Sequence, residues 1–488
     1  MTHWIIAPVV LPAMLAPLLL LLRHDQTVQR ILGLAGTAAL LGLALVLLAI
    51  SAEPQLYRLG DWPAPFGIVL VLDRLAALML VLTALLALIV QVYAIATGWD
   101  RRGRHFHALY LFQLMGLNGA FLTGDLFNLF VFFEVLLIAS YGLMVHGAGR
   151  DRLRAAIQYV AFNLIASTLF LFALGLIYAV TGTLNMADLA VKIAALPAGD
   201  HALIRVAAIL LIGVFAIKGA LVPLQFWLPG TYANAPGPVA ALFAIMTKVG
   251  AYAILRTITL ILPASSPAIG PLLTDLLLPA AGLTLLVGAI GTLGASTLPR
   301  LAALAAIASI GTLFIALAAN TPQATAAGLY YMINSTLATA ALFLIADQIT
   351  ARRSAALVSG PRLSGLHAAL FFATAIAMAG LPPLSGFIGK LLVLDSLRDH
   401  AILWTLILFS SFLMILGFAR AGSTLFWNTT DQATAKPEPA ALAAIASLLA
   451  LLLALTVFAG PVTGWLTLTA EGLHAPQPYI AANGLEAN

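Results

Sequence analysis

Long apolar stretches separated by short polar loops make up almost the whole of this 488-residue chain. A helix needs about 20 mostly apolar residues to cross a bilayer. The candidate spans are residues 4–22, 31–50, 67–96, 106–123, 126–146, 155–180, 203–228, 238–262, 271–294, 300–319, 324–349, 366–394, 401–427 and 440–460. The pattern therefore predicts an all-α integral membrane protein of about fourteen transmembrane helices.

The composition agrees with a chain solvated by lipid. Apolar residues make up 62% of the sequence and charged residues 8%, whereas a soluble domain carries about 25% charged residues. The chain has no cysteine, which excludes disulfides, thiolate zinc sites and ordinary iron–sulfur ligation. The first stretch has no basic residue ahead of it, so we interpret it as a retained span and not as a signal peptide.

Lysine and arginine are distributed unevenly between the two sets of loops. Numbering the loops by the span that they follow, the odd-numbered loops hold fourteen of these residues and the even-numbered loops hold three. The positive-inside rule places the odd-numbered loops in the cytoplasm. We therefore predict a multi-pass protein of the inner (plasma) membrane with both termini on the outer, periplasmic side.

Four charged residues remain inside the predicted spans: Glu134, Lys218, Lys248 and Lys390. Each charge near the bilayer centre costs at least about 2.5–3.5 kcal/mol, so such residues mark ion or proton routes. The alternative is that Glu134 forms a purely structural bridge with one lysine. One acid cannot neutralise three lysines, however, and a buried lysine loses its proton readily and can carry protons.

Other charged residues lie near the predicted span ends. Asp73 and Arg74 are adjacent at the start of the third span, where we expect a local interfacial role. Asp347 and Asp395 are expected to be solvated. None of these residues is predicted to take part in transport.

Two motifs recur along the chain. Residues 221–227 and 381–387 both read L-x-P-L-x-x-aromatic, which predicts helix breaks at Pro223 and at Pro382 and Pro383. A Tyr-x-x-x-Asn motif occurs at 159–163 and again at 330–334. Spans 4–8 are therefore predicted to repeat as spans 9–13. Because five spans are an odd number, the second copy would be inverted, as in many transporters.

This repeat divides the chain into four predicted segments. They are an N-terminal three-helix segment at 1–105, a first five-helix repeat at 106–262, a second, inverted five-helix repeat at 271–427, and a C-terminal helix with a polar tail at 428–488. Each repeat would form one proton half-channel.

Three runs resemble a known family. Residues 124–142 read GDLFNLFVFFEVLLIASYG, residues 218–229 read KGALVPLQFWLP, and residues 235–253 read APGPVAALFAIMTKVGAYA. They resemble the D-type subunit of the Mrp/Pha-type multisubunit monovalent cation/proton antiporters. The wider superfamily includes the antiporter-like subunits of respiratory complex I and of membrane-bound hydrogenases.

The resemblance implies a role for each buried charge. Glu134 matches the glutamate that pairs with the lysine of span 7, here Lys218, and modulates it. Lys248 matches the central lysine, and Lys390 matches the lysine of the second half-channel. Together they would form a hydrated row that carries protons.

The eleventh span departs from the family pattern. Many relatives have a histidine and a lysine where this chain has Asn334 and Thr339. The candidate water-wire residues that would link Lys248 to Lys390 are Tyr331, Asn334, Ser335 and Thr339.

The leading hypothesis is a proton-translocating subunit of a multisubunit Na⁺ (or K⁺)/H⁺ antiporter. We expect partner subunits, a lipid bilayer, no nucleic acid, no cofactor and no metal, and a secondary transporter instead of an enzyme. The alternative is a proton-pumping membrane subunit of a complex I-like NADH-quinone oxidoreductase or of a hydrogenase. A third hypothesis is a structural scaffold that has lost transport.

Overall fold

The computed structural model describes residues 2–63, 66–433 and 438–485, and these ranges are almost entirely helical. The helices before residue 260 are α1 (Ala7–Leu21), α2 (Gln26–Ile50), α3 (Arg74–Ala96), α4 (Phe106–Leu122), α5 (Leu126–Met144), α6 (Arg150–Thr181), α7 (Met186–Ala194), α8 (His201–Gly219), α9 (Trp227–Asn234), α10 (Gly237–Leu242) and α11 (Met246–Arg256). The later helices are α12 (Leu272–Gly294), α13 (Leu298–Ala318), α14 (Pro322–Thr350), α15 (Gly365–Ala379), α16 (Ser385–Asp395), α17 (Ala401–Phe426), α18 (Pro439–Val457), α19 (Ala459–His474) and α20 (Gln477–Ala482).

The predicted all-α membrane fold is confirmed. Within the described residues, eleven helical segments are long and apolar enough to cross a membrane, and α1, α4 and α15 are shorter apolar helices. The number of fourteen crossings stays a prediction. Two small sheets accompany the helices. β1 (Gln55–Arg58) pairs antiparallel with β2 (Val69–Leu72), and β3 (Gly360–Arg362) pairs parallel with β4 (Thr429–Ala433).

The helix α11 lies at the centre of the molecule, and all of its residues are buried. It approaches α8 so closely that a Cβ at Gly250 would lie 2.6 Å from the backbone nitrogen of Gly219 and 2.9 Å from the carbonyl oxygen of Phe215. Glycine at this point lets the two backbones touch, and the contact holds α11 against the end of α8.

The first predicted helix break follows α8. The helix ends at Gly219, and Ala220 has a left-handed φ of 54°. The backbone nitrogen of Leu221 then donates to the carbonyl of Ala216 over 3.0 Å, and a cis peptide bond precedes Pro223. The chain stays irregular until α9 begins.

The second break has the same backbone pattern. Gly380, directly after α15, has a left-handed φ of 77°. Leu381 donates to the carbonyl of Ile376 over 3.0 Å, and the bond between Pro382 and Pro383 is cis. The two breaks therefore match over the positions that the sequence motif predicted. The complete inverted repeat and the four-segment division stay predictions.

A third interruption, which the sequence did not predict, lies inside the candidate span at 238–262. Residues 243–245 form turns between α10 and α11, and the hydroxyl of Tyr232 donates to the carbonyl of Phe243 over 2.8 Å. A π-helical turn, Thr257–Ile261, follows α11. The predicted span itself is confirmed, since Gly237–Ile261 is long and apolar enough to cross a membrane. The interruption inside it has no signal in the sequence, because an aromatic side chain from a neighbouring helix stabilises the freed carbonyl.

The C-terminal region is longer than the predicted span at 440–460. Only Phe458 separates α18 from α19, and both helices run along α14. Tyr330 of α14 donates to the carbonyl of Leu455 over 2.9 Å, and Thr325 and His474 share a hydrogen bond of 2.9 Å. Part of the predicted polar tail is therefore helical and packed against the rest of the chain.

Candidate ion-pathway site

The structure buries the three predicted lysines. Lys218 and Lys390 are each 6% exposed, and Lys248 is 1% exposed. Glu134 is partly buried on α5. Because burial of an unpaired charge is costly, the groups that surround each lysine decide what it can do.

Lys218 lies at the last turn of α8, directly before the first break. Its Nζ donates to Oδ1 of Asn163 over 2.8 Å, and the ammonium lies 5.9 Å from the centroid of the Phe133 ring. The C-terminal end of a helix and the face of an aromatic ring both favour a cation. These groups partly offset the cost of burying the charged form of Lys218.

Helix α6 links Glu134 to Lys218. The hydroxyl of Ser167 donates to Oε1 of Glu134. Ser167 follows Asn163 by four residues, so both side chains lie on one face of α6. Within the described residues there is no ion pair between Glu134 and Lys218, and the two charges are connected through a serine and an asparagine of the same helix.

Lys248 occupies the first turn of α11, directly after the unpredicted interruption. Within the described part of the chain its Nζ has no hydrogen-bond partner. A buried amine without a partner is costly, and such exceptions call for an explanation. A side chain that exchanges protons with a neighbour is one function that this arrangement suits.

Lys390 lies on α16, after the second break. Its Nζ donates to the carbonyl of Ala379 over 2.8 Å and to the hydroxyl of Ser411 over 2.7 Å. Ala379 ends α15, so Lys390 binds a carbonyl that the broken helix leaves without an intrahelical partner. A second-half lysine and the preceding helix break therefore form one structural unit.

Two of the candidate water-wire residues, Tyr331 and Ser335, form hydrogen bonds with the hydroxyl of Ser309. Tyr331 and Ser309 share a hydrogen bond of 3.1 Å, and Ser309 donates to Ser335 over 2.8 Å. All three side chains are buried. They form a hydroxyl cluster between α13 and α14.

The other two candidate water-wire residues have separate partners. Asn334 accepts a hydrogen bond from Ser385, the first residue of α16, over 2.9 Å. Thr339 lies 3.8 Å from the sulfur of Met378. The four predicted residues therefore do not form one continuous hydrogen-bonded chain. Tyr331, Asn334 and Ser335 lie within about one turn of α14, whereas Thr339 lies one turn further along.

Sequence reasoning missed Ser167, Ser309 and Ser411. Serines are common in apolar helices, where each can bond a carbonyl of its own helix, so none gave a signal. Ser167 could have been found from its spacing of four residues from Asn163, once α6 was taken as a helix.

Asp347, expected to be solvated, is partly buried and has side-chain hydrogen-bond partners. Its Oδ2 accepts hydrogen bonds from the hydroxyl of Tyr93 over 2.7 Å and from the indole nitrogen of Trp99 over 3.0 Å. It also lines a cavity of about 360 Å³ among the odd-numbered loops, which includes Arg152. Asp347 is therefore held by side chains of the N-terminal segment instead of being free in solvent. Asp395 is bonded by Arg398 near the surface.

A second polar cluster lies in the loop between α3 and α4. Burial favours the neutral form of Asp100, but hydrogen bonds from His107, Arg30 and Gln26 outweigh it and lower the pKa of the Asp100 carboxyl. The distance from the Arg30 Nε to Oδ2 is 2.6 Å. This ion pair ties α2 to the loop before α4.

Comparisons with known proteins agree with the motifs. The family described as NADH:quinone oxidoreductase/Mrp antiporter, transmembrane, matches residues 123–417. The chain is 38% identical over 518 aligned positions to the D-type subunit of a probable K⁺/H⁺ antiporter of Rhizobium meliloti, covering 97% of this chain and 96% of that protein. It is 37% identical over 498 positions to the D-type subunit of a Na⁺/H⁺ antiporter of Bacillus subtilis, covering 99% of each.

A solved structure is similar over the same length. A chain of the Mrp complex from Dietzia sp. DQ12-45-1b superposes with a TM-score of 0.90 and 27% identity, covering 99% of this chain and 100% of that chain. The region matched by the family, the alignments with both relatives and the superposed structure all cover the helices that carry the four buried charges. These charges are Glu134, Lys218, Lys248 and Lys390. The chain belongs to the NADH:quinone oxidoreductase/Mrp antiporter transmembrane family.

Proposed function

We propose that this chain is the proton-translocating subunit of a multisubunit Na⁺ (or K⁺)/H⁺ antiporter in the plasma membrane. Glu134, Lys218, Lys248 and Lys390 carry the proton, and the other subunits complete the cation route. The relatives named as D-type antiporter subunits align over nearly their full length, which favours exchange over a redox-driven pump.

The observation that carries the proposal is the link between Glu134 and Lys218 through α6. Ser167 holds the carboxylate and Asn163 holds the ammonium, one turn apart on the same helix face. The energy between two charges varies inversely with their distance and reaches a few kcal/mol at about 4 Å and intermediate dielectric, which is closer than the two groups lie here. A small movement of α5 or α8 relative to α6 would therefore change how strongly the acid stabilises the lysine charge, and would release or capture a proton.

The orientation of the chain in the membrane follows from the loop charges. With fourteen basic residues in the odd-numbered loops against three in the even-numbered loops, we place the odd-numbered loops in the cytoplasm and both termini outside. The cavity at Asp347 then lies on the cytoplasmic side.

The test is antiport in everted vesicles. The complete operon is expressed in cells that lack their own sodium/proton antiporters, and cation-induced dequenching of a pH-sensitive dye is measured for the wild type, Glu134→Ala and Lys248→Ala. Lys192→Ala is the matched control, since Lys192 is 40% exposed and pairs with Asp188 outside the row. Blotting verifies assembly. We expect both row variants to lose the signal and the control to keep it.

Two outcomes would contradict the proposal. Normal antiport by assembled Glu134→Ala and Lys248→Ala complexes would favour a scaffold without transport. No cation response from an assembled wild-type complex would favour the redox-driven pump, and the purified complex would then be examined for flavin and iron–sulfur groups.

A further inference from the structure

A buried ion pair lies at the other end of α11 from the Asp347 cavity. Arg256, the last residue of α11, places Nη2 2.6 Å from Oδ2 of Asp73, and their side chains are 5% and 11% exposed. Asp73 also caps α3, because its Oδ1 accepts from the backbone nitrogen of Ala76 over 2.9 Å. The residue expected to have a local interfacial role is therefore part of a buried charge pair with the helix that carries Lys248.

This ion pair lines a cavity of about 420 Å³ at the face of the even-numbered loops. Exposed Glu53 lies at its rim, and Thr259 of the π-helical turn lies inside. The ring of Tyr479 covers Arg256 with its centroid 5.2 Å from the guanidinium, so the C-terminal segment closes one side of the cavity. The cavity is of the size that commonly holds small polar molecules or water.

The position of Lys248 relative to the two cavities is the central observation. Ala240 lines the cavity at Asp347, on the face of the odd-numbered loops, and Arg256 lines the cavity on the face of the even-numbered loops. Each of these two residues is eight positions from Lys248 in the sequence. The eight residues from Lys248 to Arg256 belong to α11 and span about 12 Å, whereas the path to Ala240 passes through the turns at 243–245 into α10. Lys248 thus lies between the two cavities on one buried stretch of chain.

A structural role alone explains the ion pair poorly. Replacing a buried ion pair with apolar side chains is often neutral or stabilising, so burial of Asp73 with Arg256 is weak evidence for stability. A guanidinium keeps its charge at all relevant pH values and repels a proton that arrives from Lys248. Asp73 neutralises that charge. The pair therefore sets the electrostatic barrier between Lys248 and the cavity.

A π-helical turn directly follows Arg256. Such turns are uncommon and occur frequently at functional sites, since the wider turn loosens the hydrogen-bond pattern of the helix. At this position it allows the end of α11 to shift without unwinding the turn that carries Lys248.

We propose that the cavity around Asp73 and Arg256 is the even-face port of the proton route through Lys248, and that this ion pair is its gate. The proposal rests on the proposed function in that Lys248 carries protons. It adds an outlet within the first half of the chain, separate from Lys390.

The absence of cysteine in the sequence gives a direct test. Thr259→Cys places a thiol in the cavity, and Thr257→Cys is a matched control. Both threonines belong to the same π-helical turn and bond a carbonyl four residues earlier at 2.7 Å, but Thr257 does not line the cavity. The assembled complex is treated from each membrane face with a positively charged, membrane-impermeant methanethiosulfonate. The label on this chain and the proton movement are then measured.

We expect Thr259→Cys to react from one face only and to lose most of its proton movement, while Thr257→Cys keeps its activity. No reaction at Thr259→Cys, equal reaction at both positions, or full reaction with unchanged proton movement would overturn the proposal. Proton movement before labelling tests the proposed function separately. If the complex were driven by a redox reaction and not by a cation gradient, the loss of proton movement after labelling would still show whether the port is blocked.

A second measurement addresses the gate. The double variant Asp73→Asn with Arg256→Gln removes both charges and leaves no unpaired ion. We expect an imposed pH gradient to decay severalfold faster without added cation than in the wild type. Arg398→Gln is the control, since Arg398 is 73% exposed, pairs with Asp395 and does not line the cavity. An assembled double variant with a wild-type decay rate would show that the pair is only structural.

Discussion

The lysines beside the two helix breaks are held by different kinds of partner. Lys218 precedes its break and donates to a side-chain amide of α6, one turn from the serine that holds Glu134. Lys390 follows its break and donates to the backbone carbonyl of Ala379 and to Ser411. Two breaks with the same backbone pattern therefore occur in two arrangements, with the lysine before the first break and after the second.

The difference indicates two roles within one proton route. Lys218 is connected to an ionisable partner, so a change at Glu134 alters the energy of its charge. Lys390 is bound by two neutral groups, the carbonyl of Ala379 at the break and the hydroxyl of Ser411 on α17, and its surroundings change only when the helices move. We infer that the first half couples proton transfer to the rest of the complex and that the second half carries the proton onward.

The largest effect is expected when either lysine is removed. In Lys218→Ala and Lys390→Ala, antiport should fall by about a hundredfold or more, which is the range for a proton-transferring group. Dequenching in everted vesicles measures the loss, with assembly checked by blotting. If Lys390→Ala kept normal antiport while Lys218→Ala lost it, the second half would not conduct, and the replacements at Asn334 and Thr339 would explain why.

The matched asparagines provide a smaller contrast. Asn163 accepts a charge-assisted hydrogen bond from Lys218, whereas Asn334 accepts from the neutral hydroxyl of Ser385. A hydrogen bond to a charged group contributes about 1.5–3 kcal/mol and a neutral one about 1 kcal/mol. At about 1.4 kcal/mol per tenfold in rate, Asn163→Ala should slow antiport by about tenfold or more and Asn334→Ala by no more than about fivefold.

Initial rates at saturating cation measure this contrast. Asn163→Ser and Asn334→Ser serve as conservative variants that retain a hydrogen-bonding group. Equal losses at the two positions would mean that the tyrosine–asparagine motif has the same function in both halves, and would contradict the division of roles.

The sequence predicted the charged residues of the site better than their partners. Buried charges are rare in a membrane because they are costly, so Lys218, Lys248 and Lys390 were conspicuous in apolar spans. Hydroxyl groups are not costly in a helix, since Ser411, for example, also donates to its own-helix carbonyl at Ile407. Their pairing with a charge depends on how two helices pack, which local sequence does not encode.

The breaks show the same limit. Proline marks a break locally, and both proline motifs correspond to interrupted helices. The interruption before Lys248 contains no proline between α10 and α11, and Tyr232 of another helix stabilises it. Tertiary contacts of this kind cannot be inferred from hydrophobic periodicity, so the sequence predicts the span but not its interruption.

Helix packing should also differ between two glycines that lie close to buried lysines in the sequence, Gly250 after Lys248 and Gly389 before Lys390. A Cβ at Gly250 would lie 2.6 Å from a backbone atom of Gly219, whereas a Cβ at Gly389 would lie 3.0 Å from a ring atom of Tyr331. Backbone cannot move aside as a ring can. Gly250→Ala should therefore destabilise the protein by about 1–3 kcal/mol, and Gly389→Ala by less. Thermal unfolding of the purified complex measures both, and a larger effect at Gly389 would contradict the closer backbone contact at Gly250.

The smallest effects are expected at the two left-handed residues, where the breaks are most alike. A residue with a side chain is destabilised by about 1–2 kcal/mol in this conformation, and glycine is not. Glycine, however, makes the unfolded chain more disordered, which lowers the stability of the folded state by about 0.5–1 kcal/mol. Ala220→Gly should therefore raise stability by about 0–1.5 kcal/mol. Gly380→Ala should lower stability by at least as much, because its Cβ would also lie 2.6 Å from Cδ of Lys390.

Since the displaced side chain of Lys390 is the one that binds Ala379, Gly380→Ala should impair antiport as well, while Ala220→Gly leaves it unchanged. Thermal unfolding and dequenching on the same two variants would show whether stability and transport are coupled only at the second break. Loss of transport in Ala220→Gly would mean that the first break, too, positions its lysine through the strained residue.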